Sequence, residues 1–145
     1  MTDEMSYDAK PTSALTAEVA QMLVARGWRL TTAESCTGGN LAAALCAQAD
    51  TAAFYDTGVV TFSDEAKRNV LQVRAETLAV HSAVSEACVQ EMSAGILAMA
   101  DADAWNFRGQ TETKRMCFAG DCETVVAKAV RYALAALSEK LAHWQ

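Results

Sequence analysis

The residues best suited to chemistry form one short string, Ser35-Cys36-Thr37-Gly38-Gly39. A nucleophile must stand clear of its own backbone, and a developing oxyanion needs N–H donors already in place. A helix N-terminus supplies such donors with a partial positive charge, and glycines let a ligand approach the main chain closely. A serine between a strand and a helix, followed by Gly38-Gly39, meets these needs. The plainer alternative is that Ser35 or Thr37 only caps the helix while the glycines make a tight turn, and caps of this kind are common. Serine also needs a base. The chain has two histidines, His81 in an inter-helix loop and His143 in the tail, and neither has the setting of a Ser-His-Asp arrangement. Lys67 is the other candidate, on the first turn of the helix after the second strand. If the two strands are parallel, their ends open on one edge of the sheet, where ligands bind in open α/β folds. Partial desolvation or a cationic neighbour would fit such a lysine to act as a base, whereas spacing alone fits a solvated surface lysine better. Cys36 offers a second nucleophile, as a thiolate at the helix start.

The elements that must position these residues follow from periodicity. Leu15, Val19, Met22 and Leu23 predict a helix over residues 13–26, capped by Thr12 or Ser13 and stopped by Gly27. Residues 28–33 alternate and are rich in β-formers, a first strand. After the turn comes an apolar helix over 39–47, then a loop over 49–56. Thr57-Gly58-Val59-Val60-Thr61-Phe62 predicts a second strand. Ser63 caps a helix that runs to Leu71, with Asp64 and Glu65 suiting its positive end. A short helix spans 75–80, and Ser85 starts a longer one through Met99 with apolar residues at Val89, Met92, Ile96, Leu97 and Met99. Residues 104–107 and 113–118 predict a hairpin with Arg108-Gly109-Gln110 in the bend. Asp121 caps a last helix over 123–141, with Val126, Val130, Leu134, Leu137 and Leu141 inward. The whole is a layered α/β sheet with helices packed on it, arranged as a flexible arm over 1–11 and a single domain over 12–145.

Composition narrows the function classes. At 145 residues and 52% hydrophobic the chain suits one globular core. No apolar run reaches the roughly 18–20 residues of a membrane span, and the polar, acidic start lacks a signal-peptide pattern, so the expected setting is the cytoplasm, with no membrane partner. The formal charge of −6 disfavours nucleic acid, which needs clustered Lys and Arg. The five cysteines, Cys36, Cys46, Cys88, Cys117 and Cys122, show no Cys-x-x-Cys spacing, so no metal site is expected. All but Cys36 read as small buried hydrophobes. The apolar faces of the last two helices would allow a homodimer, and a core role explains them equally well.

Four strings in order carry a resemblance: Ala33-Glu34-Ser35-Cys36-Thr37-Gly38-Gly39, Val60-Thr61-Phe62-Ser63-Asp64-Glu65-Ala66-Lys67, His81-Ser82-Ala83-Val84-Ser85-Glu86 and Phe118-Ala119-Gly120-Asp121. Together they resemble the C-terminal domain of the competence-damage-inducible protein CinA, also found as the stand-alone nicotinamide mononucleotide deamidase. The resemblance implies that fold and an amidohydrolase of NAD salvage, which converts the nicotinamide carboxamide of a small-molecule pyridine nucleotide to the acid plus ammonia, with no cofactor and no metal. It implies Ser35 as nucleophile, Lys67 as its base, and Thr37, Gly38, Gly39, Gly120 and Asp121 as substrate-binding residues. Three departures predict a weakened or inactive copy, with a fully active Ser-Lys enzyme as the alternative. Phe62 stands where the family commonly has Tyr, which removes a hydroxyl. Cys122 stands where it commonly has Arg, which removes a cation suited to a phosphate. A strand and glycine-rich loop expected between the Ser85 helix and Phe118 are missing at the join of Asp103 and Ala104. Either that segment is deleted or the sequence as given leaves it out, and the awkwardness of the join favours the second.

Overall fold

The computed structural model describes residues 10–99 and 118–143. The hairpin predicted over 104–118, the Asp103–Ala104 join, Cys117 and nearly all of the arm lie outside the described residues, save that Phe118 leads into the last helix.

Pro11 opens the first helix, α1 (Thr12–Arg26), with φ −66° and no side-chain cap. Neither Thr12 nor Ser13 caps it, a correction with a simple cause. Proline already holds the entry geometry, and its carbonyl accepts from Ala14 N and Leu15 N. Gly27 at φ 67° ends the helix, a left-handed stop that glycine adopts freely. The chain then enters β1 (Leu30–Glu34), α2 (Asn40–Cys46), a 3₁₀ turn at Thr51–Ala53 and β2 (Tyr55–Val60). β1 starts two residues later and ends one later than predicted, and β2 starts and ends two residues earlier. β2 begins inside the expected loop and ends before Thr61, which frees the carbonyls of Thr61 and Phe62 for other use.

Among the described residues the sheet has two strands, and they are parallel. Leu30 pairs with Tyr55 and Thr31 with Thr57, so Asp56 is an extra residue in β2. Such a bulge flips the facing of every later side chain. The flip has a use. Tyr55 joins Leu30 in one core while Val59 joins Ala33 in the other. Gly58, paired with Thr32, then lies over the buried hydrogen bond between the Thr32 and Tyr55 hydroxyls. A Cβ there would meet both oxygens.

The two cores are the two faces of the sheet. On one, α1, α2 and α6 (Cys122–His143) bring Leu15, Val19, Leu23, Leu45, Val130, Leu134 and Leu141 together with Phe54 and Tyr55. On the other, α3 (Asp64–Leu71), α4 (Ala75–His81) and α5 (Glu86–Met99) gather Leu71, Val73, Cys88, Met92 and Ile96. The layered fold is therefore as the sequence implies. The buried face of α5 is rotated away from part of its apolar set: Val89 and Met99 are exposed, while Cys88, Met92, Gly95 and Ile96 are buried. Gly95 explains the rotation, because its bare backbone rests on the carbonyl of Leu71. Ser85 and Asp121 cap as predicted: Ser85 Oγ accepts from Cys88 N at 3.1 Å and Asp121 Oδ1 from Thr124 N at 2.8 Å. No helix among the described residues is long and apolar enough to cross a membrane.

The α5–α3 contact makes a sharp prediction. An added Cβ at Gly95 would lie 1.9 Å from Leu71 O, backbone that cannot swing aside. Gly95→Ala should lower unfolding stability by about 2–3 kcal/mol, the scale of overpacking a tight core, as read from urea denaturation. An unchanged midpoint would contradict the packing described.

Candidate active site

Parallel pairing places the ends of β1 and β2 on the same edge. Ser35 follows the last residue of β1, and Thr61 and Phe62 follow the last residue of β2. Past the end of a strand, main-chain carbonyls lose their ladder partners and must find others. Lys67 supplies one. Ser63 starts α3, its Oγ accepting from Ala66 N at 2.9 Å, and Lys67 sits on the first turn. Its side chain runs back to Thr61 O at 3.0 Å, Phe62 O at 3.3 Å and Ser35 Oγ at 3.2 Å. The solvated-lysine alternative fails, since Lys67 is 2% exposed.

The three neighbours of the amine are not equivalent. Carbonyls only accept hydrogen bonds, while a hydroxyl both accepts and donates. As an ammonium, Lys67 satisfies all three acceptors. As a neutral amine it can give two hydrogens to the two carbonyls, and its lone pair then meets the only neighbour with a proton to give, Ser35.

The turn itself is held from within and from below. Gly38 N donates to Ser35 O at 3.0 Å and Asn40 N to Thr37 O at 2.9 Å. Gly38 and Gly39 have φ 61° and 92°, conformations that a side chain disfavours. The expected cap is corrected: α2 has Gly39 at its N-cap position, with no side-chain cap from Ser35 or Thr37. Glu34 does the work instead. Its Oε1 accepts from Thr37 Oγ1 at 2.7 Å and Leu41 N at 2.9 Å, and its Oε2 from Ala42 N at 3.1 Å. The helix-start donors foreseen for an oxyanion are thus partly occupied. Among the described residues the N–H groups of Cys36, Thr37 and Gly39 donate to no protein acceptor.

Around this pair, the Phe62 ring lies over Gly38, where an added Cβ would come within 3.8 Å of it, and it is 67% exposed. Val60 stands in the same way beside Gly39. Behind the lysine, Cys88 is fully buried. Burial pushes its thiol up, and the Lys67 charge opposes the rise in part. The buried-cysteine expectation holds for Cys88 and is corrected for Cys46 and Cys122, which are exposed at the end of α2 and the start of α6. Cys36 is exposed too.

The site residues named from sequence thus fall into two groups. Ser35, Lys67, Thr37, Gly38 and Gly39 share one strand edge. Gly120 and Asp121 stand at the start of α6, and among the described residues no hydrogen bond joins them to the Ser35 turn. The side chain and backbone of Thr124 hold the Asp121 carboxyl below its ordinary range. His81 and His143 end α4 and α6, at exposed positions. Among the described residues no group of three His, Cys, Asp or Glu side chains could hold a metal ion. Sequence reasoning missed the carboxylate of Glu34 and the two carbonyls on Lys67. The first had a legible signal, an acid placed just before a turn that opens a helix. The second had none, because every residue has a carbonyl.

Comparison with known proteins gives the family. The profile of the CinA C-terminal domain matches residues 12–105. Protein YdeJ of Escherichia coli is 47% identical, with 88% of each chain covered. That alignment runs to 152 positions against the 145 residues here, so YdeJ carries residues within the matched span that this chain does not. Nicotinamide-nucleotide amidohydrolase PncC of Escherichia coli is 40% identical over 85% of this chain and 90% of its own. The crystal structure of competence damage-inducible protein A (ComA) from Klebsiella pneumoniae superposes with a TM-score of 0.88 at 76% identity, covering 94% of this chain and all of that one. With its fold, its strand-edge serine and its matched sequence, the chain belongs to the CinA C-terminal domain family.

Proposed function

We propose that the chain hydrolyses the carboxamide of a nicotinamide nucleotide to the acid and ammonia, in the cytoplasm, with an intact reacting pair and a weakened hold on its substrate. The observation that carries this reading is the 3.2 Å contact between Lys67 Nζ and Ser35 Oγ, made by a buried amine whose other neighbours can only accept. The 40% identity to a nicotinamide-nucleotide amidohydrolase supports the substrate class.

The chemistry follows from the geometry. Neutral Lys67 takes the Ser35 proton as Oγ attacks the carboxamide carbon. The oxyanion is met by the N–H groups of Cys36, Thr37 and Gly39, which the turn itself does not use. Gly38, with no side chain, leaves room for the reacting group. The Lys67 ammonium returns the proton to the leaving nitrogen, the C–N bond breaks, and ammonia departs from an ester on Ser35. Water, deprotonated by the same amine, then cleaves the ester and releases the carboxylate. Phe62 offers an apolar wall for the pyridine ring but no hydroxyl to share in proton transfer. Gly120 and Asp121 would approach the nucleotide from the start of α6, where Cys122 offers no charge to a phosphate. A silent, binding-only copy is the second reading, favoured by these same two residues.

Ser35→Ala should reduce ammonia release from nicotinamide mononucleotide by about 10³-fold or more, as loss of a nucleophile does. Lys67→Arg, which keeps the charge but cannot be deprotonated in a protein, should fall as far. Parent-like turnover by either variant would overturn the pair. Phe62→Tyr combined with Cys122→Arg should raise kcat/KM by about 10-fold or more, the worth of one charge-assisted hydrogen bond. No ammonia from either the parent or this double variant would leave the binding-only reading.

A further inference from the structure

Both halves of the reacting pair lead to one residue that touches neither reacting atom. The side chain of Glu34 closes the Ser35–Gly39 turn: it receives Thr37 Oγ1 from within the turn and Leu41 N and Ala42 N from the helix beyond it. Its main-chain carbonyl accepts from Thr61 N at 2.9 Å, and the carbonyl of Thr61 receives Lys67 Nζ. Glu34 is 4% exposed, and its two oxygens accept from three donors. Its side chain fixes the nucleophile's turn and its main chain fixes the anchor of the base.

Resting on the Ser35–Lys67 reading, we propose that Glu34 is a positioning residue for the reaction, whose carboxylate holds the turn so that Ser35 Oγ stays within reach of Lys67 while the N–H groups of Cys36, Thr37 and Gly39 stay unbonded. A helix cap alone would contribute stability and leave the reactivity of the folded protein untouched. A positioning group changes reactivity, because a displacement of about 1 Å at a reacting pair costs on the order of 10²-fold in rate.

Glu34→Gln separates the two. The amide oxygen can still accept from Thr37 and Leu41, but the NH₂ group opposes Ala42 N–H, donor against donor. The expected result is a kcat for ammonia release lowered about 10–100-fold with KM within about 3-fold. The rate at which a fluorophosphonate probe labels Ser35 should fall by the same factor, while the melting temperature drops by only about a few degrees. Labelling of Glu34→Gln at the parent rate would overturn the positioning role and leave the Ser35–Lys67 reading standing. A parent that neither labels at Ser35 nor releases ammonia would overturn that reading, and this role with it. If Glu34→Gln fails to fold, Thr37→Val removes one donor to the carboxylate and leaves the Leu41 and Ala42 bonds in place. Labelling slowed about 3-fold or more supports positioning, and an unchanged rate overturns it.

Discussion

A lysine amine cannot be buried without acceptors, since an unpaired polar group in the interior costs several kcal/mol. Lys67 is buried and has three: the carbonyls of Thr61 and Phe62 and the hydroxyl of Ser35. That requirement organises the strand edge. The two carbonyls are available only because β2 stops at Val60, and the hydroxyl is present only because β1 runs parallel and ends one residue before Ser35. The fold supplies three acceptors for one amine, and the amine in turn satisfies the loose ends of the sheet.

Several smaller devices protect that geometry. The extra residue at Asp56 lets β2 serve both cores without giving up its pairing with β1. Gly58 admits the hydrogen-bonded pair of Thr32 and Tyr55 beneath the sheet, and burial pushes the Tyr55 phenol up, so it stays a neutral partner. Gly95 lets α5 settle on the end of α3, the helix that carries Lys67. None of these contacts involves Ser35 Oγ or Lys67 Nζ.

Much of this was legible in the sequence, for identifiable reasons. Ser63 with Asp64 and Glu65 marks the start of α3, alternation marks the first strand and β-branched residues the second, so the placement of Ser35 and Lys67 at neighbouring strand ends followed once the strands were taken as parallel. What was not legible depended on tertiary contact. The rotation of α5 turns on one glycine meeting the Leu71 backbone. The bulge in β2 leaves no local trace in Tyr55-Asp56-Thr57. The cap of α2 comes from Glu34, six residues before the helix starts, and replaces the serine or threonine that local rules would choose. The burial of Lys67 could be read only once two carbonyls were seen to need it.

Family membership narrows the chemistry, and two side chains bear on the proposed reading: Phe62 puts a ring without a hydroxyl beside Gly38, and Cys122 puts a thiol at the start of α6. The Phe62 carbonyl accepts from Lys67, but neither side chain is a hydrogen-bond partner of Ser35 or Lys67, so the Ser35–Lys67 contact stands apart from the grip on substrate. The most direct test is rapid-quench mass spectrometry of the protein mixed with nicotinamide mononucleotide, with fragmentation to locate any adduct. A Ser35 nucleophile leaves an adduct on that residue with the mass of the substrate less ammonia. An adduct on Cys36, or none at either residue, would contradict that role.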